Sequence, residues 1–331
     1  MAGGICTAEL VATVSNAGGV GGFGFAYSTP EKISQDLAAA RALTSGPVNA
    51  NFFVFQPVDL PNAQIQDEAV RALKSLPYAN DYSAALPSSP FYPDLAQQLA
   101  PIWSHRPAVL TFHFGVPGAS VIEQAHALGI AVGISATSLA EAMAIEQAGA
   151  DFIVAQGIEA GGHRGIFDPN APDEMLSMLD LTRQLARECS IPIVSAGGIM
   201  DGTDIQAALG AGASAAQLGT AFLCCHESGA SPAHKSFLMH QQHRPSVFTK
   251  SFSGRPARGI ENEFITRMEH QAILPFPLQN TLTGSLRQWA SKTNNGEYQS
   301  LWAGAAFQRG RSMPAEDLIK ALMQEMSAAT R

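Results

Sequence analysis

The chain has 331 residues, 46% of them apolar and 15% charged, with 20 basic against 28 acidic side chains and a formal net charge of −8. So low a charged fraction excludes a disordered chain, and the length with only four cysteines excludes a small disulfide-stapled scaffold. The acidic balance and the lack of a Lys/Arg cluster argue against nucleic acid or an anionic membrane as partner.

The opening MAGGICTAEL has neither a basic stretch nor a long apolar run, and no segment reaches about 18 uninterrupted apolar residues, so the expectation is a cytoplasmic protein with no membrane span. Cys6, Cys189, Cys224 and Cys225 show no CxxC spacing, so no metal site is expected.

In chain order, the first periodic segment, 7–17, reads as a helix capped by Thr7 and ended by Gly18. Seven apolar runs follow as strands: 19–25, 48–55, 108–112, 130–135, 151–156, 191–195 and 215–218. Between them the spacing predicts helices over 30–43, 120–128, 138–147, 174–187 and 201–209, several opened by Pro, Ser or Asp. This rhythm predicts a parallel sheet wrapped by helices, an α/β fold of the (β/α)8 TIM-barrel type that lacks its first strand. Cys224 and Cys225 are read as packing residues at the start of a helix. Two stretches break the rhythm, 56–107 and roughly 248–311, and are read as lids or binding walls. A last helix is expected over 314–326. The expected division is a barrel core over 1–225 with an insertion at 56–107, then a C-terminal excursion with a closing helix over 226–331.

Side chains from different staves of a barrel meet at the C-terminal ends of its strands, so the residues just past each apolar run are the candidates for chemistry. After the run 151–156, Gln156 leads into a loop in which four glycines surround His163, a composition that lets backbone approach a ligand closely. The next two junctions, IVSAGGIMDG and AAQLGTAFL, would converge the amides of Gly197, Gly198, Gly219 and Thr220 beside helix N-termini as a phosphate cradle. His113 ends the strand VLTFH and reads equally as a ligand-facing group or a satisfied core residue. Asn51 puts an amide inside a strand, where it needs a partner that is either a cofactor or the backbone. Tyr298, Trp302 and Phe307 read as packing residues in preference to a pocket roof. No GxSxG, HExxH, P-loop or dinucleotide GxGxxG with a downstream acid is present.

Taken together, VSNAGGVGGFG, QGIEAGGHRG, IPIVSAGGI, QLGTAFL and NGEYQSLWAG resemble the nitronate monooxygenases, formerly 2-nitropropane dioxygenases, of the class I group, over nearly the whole chain. The resemblance implies an FMN-dependent barrel that oxidises alkyl nitronates such as propionate 3-nitronate with O2 to a carbonyl compound and nitrite. It implies FMN contacts at Asn51, Gln156, Gly161, Gly198, Gln217, Leu218, Gly219 and Thr220, with His163 as the active-site histidine and His113 as a second pocket histidine. Under it, a donor or protonated imidazole at His163 would neutralise the nitronate. Members of the family begin with a strand that ends in a turn matching the first residues here. The chain is therefore expected to be a shortened version, with weakened stability, weakened FMN affinity and a flavin site that is incomplete near Met1 and Ala2. An NAD(P)H:quinone or enoyl-acyl-carrier reductase on the same barrel, or a non-catalytic flavin or phosphate-ligand binder, are the alternatives. The partners expected are a small nitronate and O2, and a homodimer is left open.

Overall fold

A computed structural model describes residues 3–329. Helix α1 (Ala8–Asn16) opens the chain with Thr7 as its cap, the hydroxyl accepting from the Leu10 amide at 3.0 Å. Then come β1 (Gly21–Gly24), α2 (Pro30–Leu43), β2 (Val48–Phe53), α3 (Ala63–Lys74), α4 (Leu95–His105), β3 (Val109–His113), α5 (Ala119–Ala127), β4 (Ala131–Ala136), α6 (Leu139–Gln147) and β5 (Phe152–Gln156). The core continues through β6 (Gly162–His163), α7 (Met178–Glu188), β7 (Ile193–Ala196), α8 (Gly202–Gly210) and β8 (Ala215–Gln217). The remainder holds α9 (Pro232–His240), β9 (Ser246–Thr249), β10 (Ala257–Ile260), α10 (Glu263–Met268), α11 (Leu278–Leu282), α12 (Gly284–Lys292) and α13 (Ala315–Ala329).

The seven expected strands form one parallel sheet in the order β1-β2-β3-β4-β5-β7-β8. It curls as an incomplete barrel, and among the described residues no strand joins β8 to β1. On β2 the period of two puts Ala50 and Phe52 against the helices, in one core with Ile33, Leu99, Leu110, Phe112 and Ile134. Asn49 and Asn51 therefore point to the concave face, where both are half-buried.

Two expectations need correction, and a third is filled in. The insertion 56–107, read as a lid or binding wall, carries two helices, α3 and α4. Leu99 and Ile102 of α4 sit in the main core, while Ala69, Ala72 and Leu73 of α3 join Phe264, Leu278, Leu282 and Tyr298 in a second core. Helix α7 starts at Met178, four residues later than the spacing suggests, because Asp173 is taken by Arg164 at 2.8 Å and accepts from the Met175 amide at 2.9 Å. That bracing holds the segment out of the helix, and Ser177 becomes the cap. Cys224 and Cys225 are buried as expected, but they follow a single 3-10 turn, Thr220–Phe222, and do not open a helix.

The small strand β6 pairs with β10, and β10 with β9, in an antiparallel sheet that the sequence pattern does not announce. Its register sets Ala257 opposite His163, so the C-terminal excursion is stitched to the mouth of the barrel at the histidine itself.

Candidate active site

His163 stands at the C-terminal end of the sheet in a loop clamped from several sides. Gln156 spends both ends of its amide on that loop, donating to the His163 carbonyl at 2.9 Å and accepting from the Gly165 amide at 2.7 Å. The buried Arg164 binds the Gln156 carbonyl and pairs with Asp173. His113 reaches the same point: its Nε2 lies 3.2 Å from the His163 carbonyl and, facing an acceptor, carries the proton. His113 and His163, far apart in sequence, are thus joined through one backbone group.

The walls around His163 are aromatic. Phe53, Phe114, Phe276 and Trp302 hold their ring centroids 5.8, 5.7, 5.6 and 5.7 Å from its imidazole. Phe55 stacks on Phe276 at 5.7 Å and on Tyr92 at 5.0 Å, which extends the wall outward. Two cations complete it. Arg255, 3% exposed, lies 3.8 Å over the Phe114 ring, and Arg287 is held by Thr283 and Asn280 on α11 and its C-cap. Among the described residues neither arginine forms an ion pair.

These surroundings set the charge states. Burial, then His113, Arg255 and Arg287, push His163 down to about 3. Burial is also the main cause that brings His113 to about 4, with Arg255 and Arg164 adding to it against the bond to His163. Both imidazoles are therefore neutral at neutral pH, so of the two forms expected for His163, donor or protonated, the neutral donor is the one these surroundings favour, and the positive charge of the pocket belongs to the arginines. Arg255 itself is lowered by burial only to about 10 and stays charged.

At the ends of β5 and β7 lies a cleft of about 300 Å³ lined by Gly197 and Gly198, with Glu159, Met178, Asp204 and Ala305 among its other walls. Gly198 has φ +70, and a Cβ there would stand 3.0 Å from Glu159, so a side chain would be strained and would narrow the cleft. Gly161 is required for a different reason, since a Cβ would lie 2.5 Å from the Gly304 amide, against which this loop packs. The N-terminus of α8, beside the expected cradle, is itself filled by carboxylates: Asp201 accepts from the Thr203 and Asp204 amides, Asp204 from those of Met200 and Asp201, and Glu325 of α13 from that of Gly202.

The remaining candidates divide. Asn51 donates to Thr111 at 2.9 Å and Thr111 to Asn49 at 3.1 Å, a chain across β2 and β3 on the concave face, so the partner of this amide is a neighbouring side chain. Thr220 accepts from the Gly304 amide at 2.9 Å, which brings the β8 junction next to Gly161. Leu218 packs against the buried cluster of Leu10, Cys225, Leu318 and Leu322, and Gln217 is exposed at the end of the edge strand. The part of the flavin site expected to be incomplete, near Met1 and Ala2, lies outside the described residues. Of the late aromatics, Tyr298 and Phe307 are core, but Trp302 is a pocket wall. Ser253, Arg255, Phe276 and Arg287 were not foreseen; a buried arginine that makes no direct ion pair, with Glu141 and Asp168 acting on Arg255 only from further off, is a tertiary fact with no local pattern.

A parallel α/β barrel with its side chains converging at the strand ends defines the class as a barrel enzyme with a small-molecule site. The family model for nitronate monooxygenase matches residues 1–325, and the chain belongs to that family and is an oxidoreductase. It is 39% identical to the nitronate monooxygenase of Paraburkholderia phytofirmans over 98% of this chain and 90% of that one. The nitronate monooxygenase of Pseudomonas aeruginosa is 37% identical over 98% and 93% of the two chains. Among solved structures, nitroalkane oxidase from Streptomyces ansochromogenes superposes with a TM-score of 0.92 at 36% identity, covering 100% of this chain and 94% of that one. FabK from Thermotoga maritima shares the fold, with a TM-score of 0.74 at 24% identity over 99% and 92% of the chains.

Proposed function

We propose that this enzyme binds FMN at the strand ends and oxidises small alkyl nitronates with O2 to a carbonyl compound and nitrite. The observation that carries the reading is the pocket around His163: aromatic walls, two unpaired guanidinium groups and neutral imidazoles, an environment that attracts a compact organic anion and supplies no strong acid. What supports a cofactor at the strand ends is the cleft in which Gly197 and Gly198 present bare backbone that a Cβ would obstruct.

Gly197, Gly198, Gly219 and Thr220 would hold the phosphate, with Asn51, Gln156, Gly161, Gln217 and Leu218 along the rest of the molecule; the flavin supplies the redox chemistry when bound. The chain's own residues do the rest. Arg255 and Arg287 draw the nitronate oxygens and stabilise their charge in a site of low polarity. Phe53, Phe114, Phe276 and Trp302 exclude water and confine the alkyl group. His163 contacts the substrate as a neutral group, and no strong base is needed because a nitronate arrives deprotonated.

The test is nitrite release and O2 uptake by the purified protein supplied with propionate 3-nitronate. Both are expected in the absence of NADH. Flavin bleaching by NADH without any response to nitronate would point instead to the quinone or enoyl-acyl-carrier reductase reading. A yellow protein that reacts with neither would be a flavin binder only.

A further inference from the structure

Ser253 lies 90 residues from His163 in the chain, yet its Oγ is 2.9 Å from His163 Nε2, and the serine is 1% exposed. The same Oγ donates to the Arg255 carbonyl at 3.1 Å and accepts from the Arg255 amide at 3.4 Å. A serine hydroxyl has one proton. If that proton turned to His163, the carbonyl of the buried Arg255 would lose the only donor it has among the described residues. With the proton committed to Arg255, Ser253 can meet Nε2 at this distance only by accepting from it.

We propose that Ser253 is a positioning residue that fixes the tautomer of His163, holding the proton on Nε2 and leaving Nδ1 as a bare acceptor toward the pocket. Nδ1 has no protein partner among the described residues and is not one of their sealed, unpartnered buried atoms, so it is the ring nitrogen a ligand meets.

The C-terminal excursion builds this contact deliberately. Thr283 donates to the Phe252 carbonyl at 2.6 Å and Gln279 to the Ser251 carbonyl at 2.9 Å, both from fully buried side chains at 0% exposure. Phe252 is stacked on Phe264 at 4.4 Å. The backbone on the N-terminal side of Ser253 is thus pinned by α11 and its C-cap, and the hydroxyl has one place to go.

The consequence is an orientation rule for the proposed nitronate reaction, on which the kinetic part of the inference rests. A bare nitrogen repels an anionic oxygen, so the nitro oxygens turn to Arg255 and Arg287, and the carbon end of the substrate lies toward His163.

Two-bond 15N–1H correlation spectra of the full chain labelled with 15N-histidine read the tautomer directly, with the His163 signal identified by its loss in His163→Asn. The wild type at pH 7.5 is expected to show the Nε2–H form. Ser253→Ala should give a mixture with the Nδ1–H form and lower nitrite production by about 10-fold, as loss of a supporting hydrogen bond commonly does; Ser253→Thr should restore both. A wild-type His163 protonated on Nδ1, or a Ser253→Ala spectrum unchanged from wild type, overturns the inference. Should Ser253→Ala fail to fold, the wild-type spectrum still decides. If nitronate chemistry is absent while the tautomer is as expected, the functional reading fails and this one stands.

Discussion

At the scale of single residues the pocket depends on a neutral imidazole held between cations. His163→Ala should lower nitrite production by roughly 100-fold, the loss typical of one preorganised polar group at a reacting centre. Because His163 and His113 titrate near 3 and 4, the rate should show no inflection at the ordinary histidine value of 6.5 from either of them. A pH profile of nitrite release between pH 5.5 and 8 checks this. His163 was legible in the sequence because strand-end glycines bracket it, a purely local pattern. Its partners were not. Ser253, Arg255 and Phe276 follow it by 90 or more residues and reach it through the pairing of β6 with β10, which a two-residue strand does not announce.

At the scale of elements, the loop 157–165 and the segment 303–305 act as one piece. The Ala305 amide donates to the Glu159 carbonyl at 2.9 Å, and Gly161 lies against Gly304. Gly161→Ala should push these strands of backbone apart, so the purified variant should carry less flavin per chain while its far-UV circular dichroism stays that of the wild type. Equal flavin content would contradict the close approach. In the helices and strands, the sheet rests on Phe23, Phe25, Phe52 and Phe112, whose ring centroids follow one another at 5.0, 5.8 and 6.5 Å. Phe52→Ala, at 0% exposure, should destabilise the fold by about 3–5 kcal/mol in urea unfolding. These strands were readable because their apolar runs are continuous and their turns carry Gly and Pro. The helices α3 and α4 were missed because Pro, Ser and Tyr surround and separate them, and in α4 Pro101 even stands inside the helix.

At the scale of the whole molecule, three histidines are carried neutral inside the fold, His163 near 3 and His113 and His234 near 4, each against an ordinary 6.5 and each mainly through burial. The unfolded chain binds protons at these positions below about pH 6.5 that the folded chain refuses, so stability is fully present above that value and is lost as pH falls toward 4. The thermal midpoint should decline steadily over that range, and His234→Asn should remove one proton from the slope. The sheet makes a second demand, since β1 and β8 each present an unpaired edge among the described residues. Their amides should exchange with deuterium faster than those of β3, β4 and β5. The sequence showed seven strands and so an incomplete curl, and the family resemblance matched the fold; the small β9-β10-β6 sheet was hidden because β6 is only two residues long and its partners lie far along the chain, at Ser246–Thr249 and Ala257–Ile260.

The most direct test of the account is an absorption spectrum of the purified protein, reconstituted with FMN if needed, before and after anaerobic addition of propionate 3-nitronate. Flavin bands that change on addition, with the change much slowed in His163→Ala, are the predicted result. A well-folded, colourless chain that takes up no FMN would contradict it.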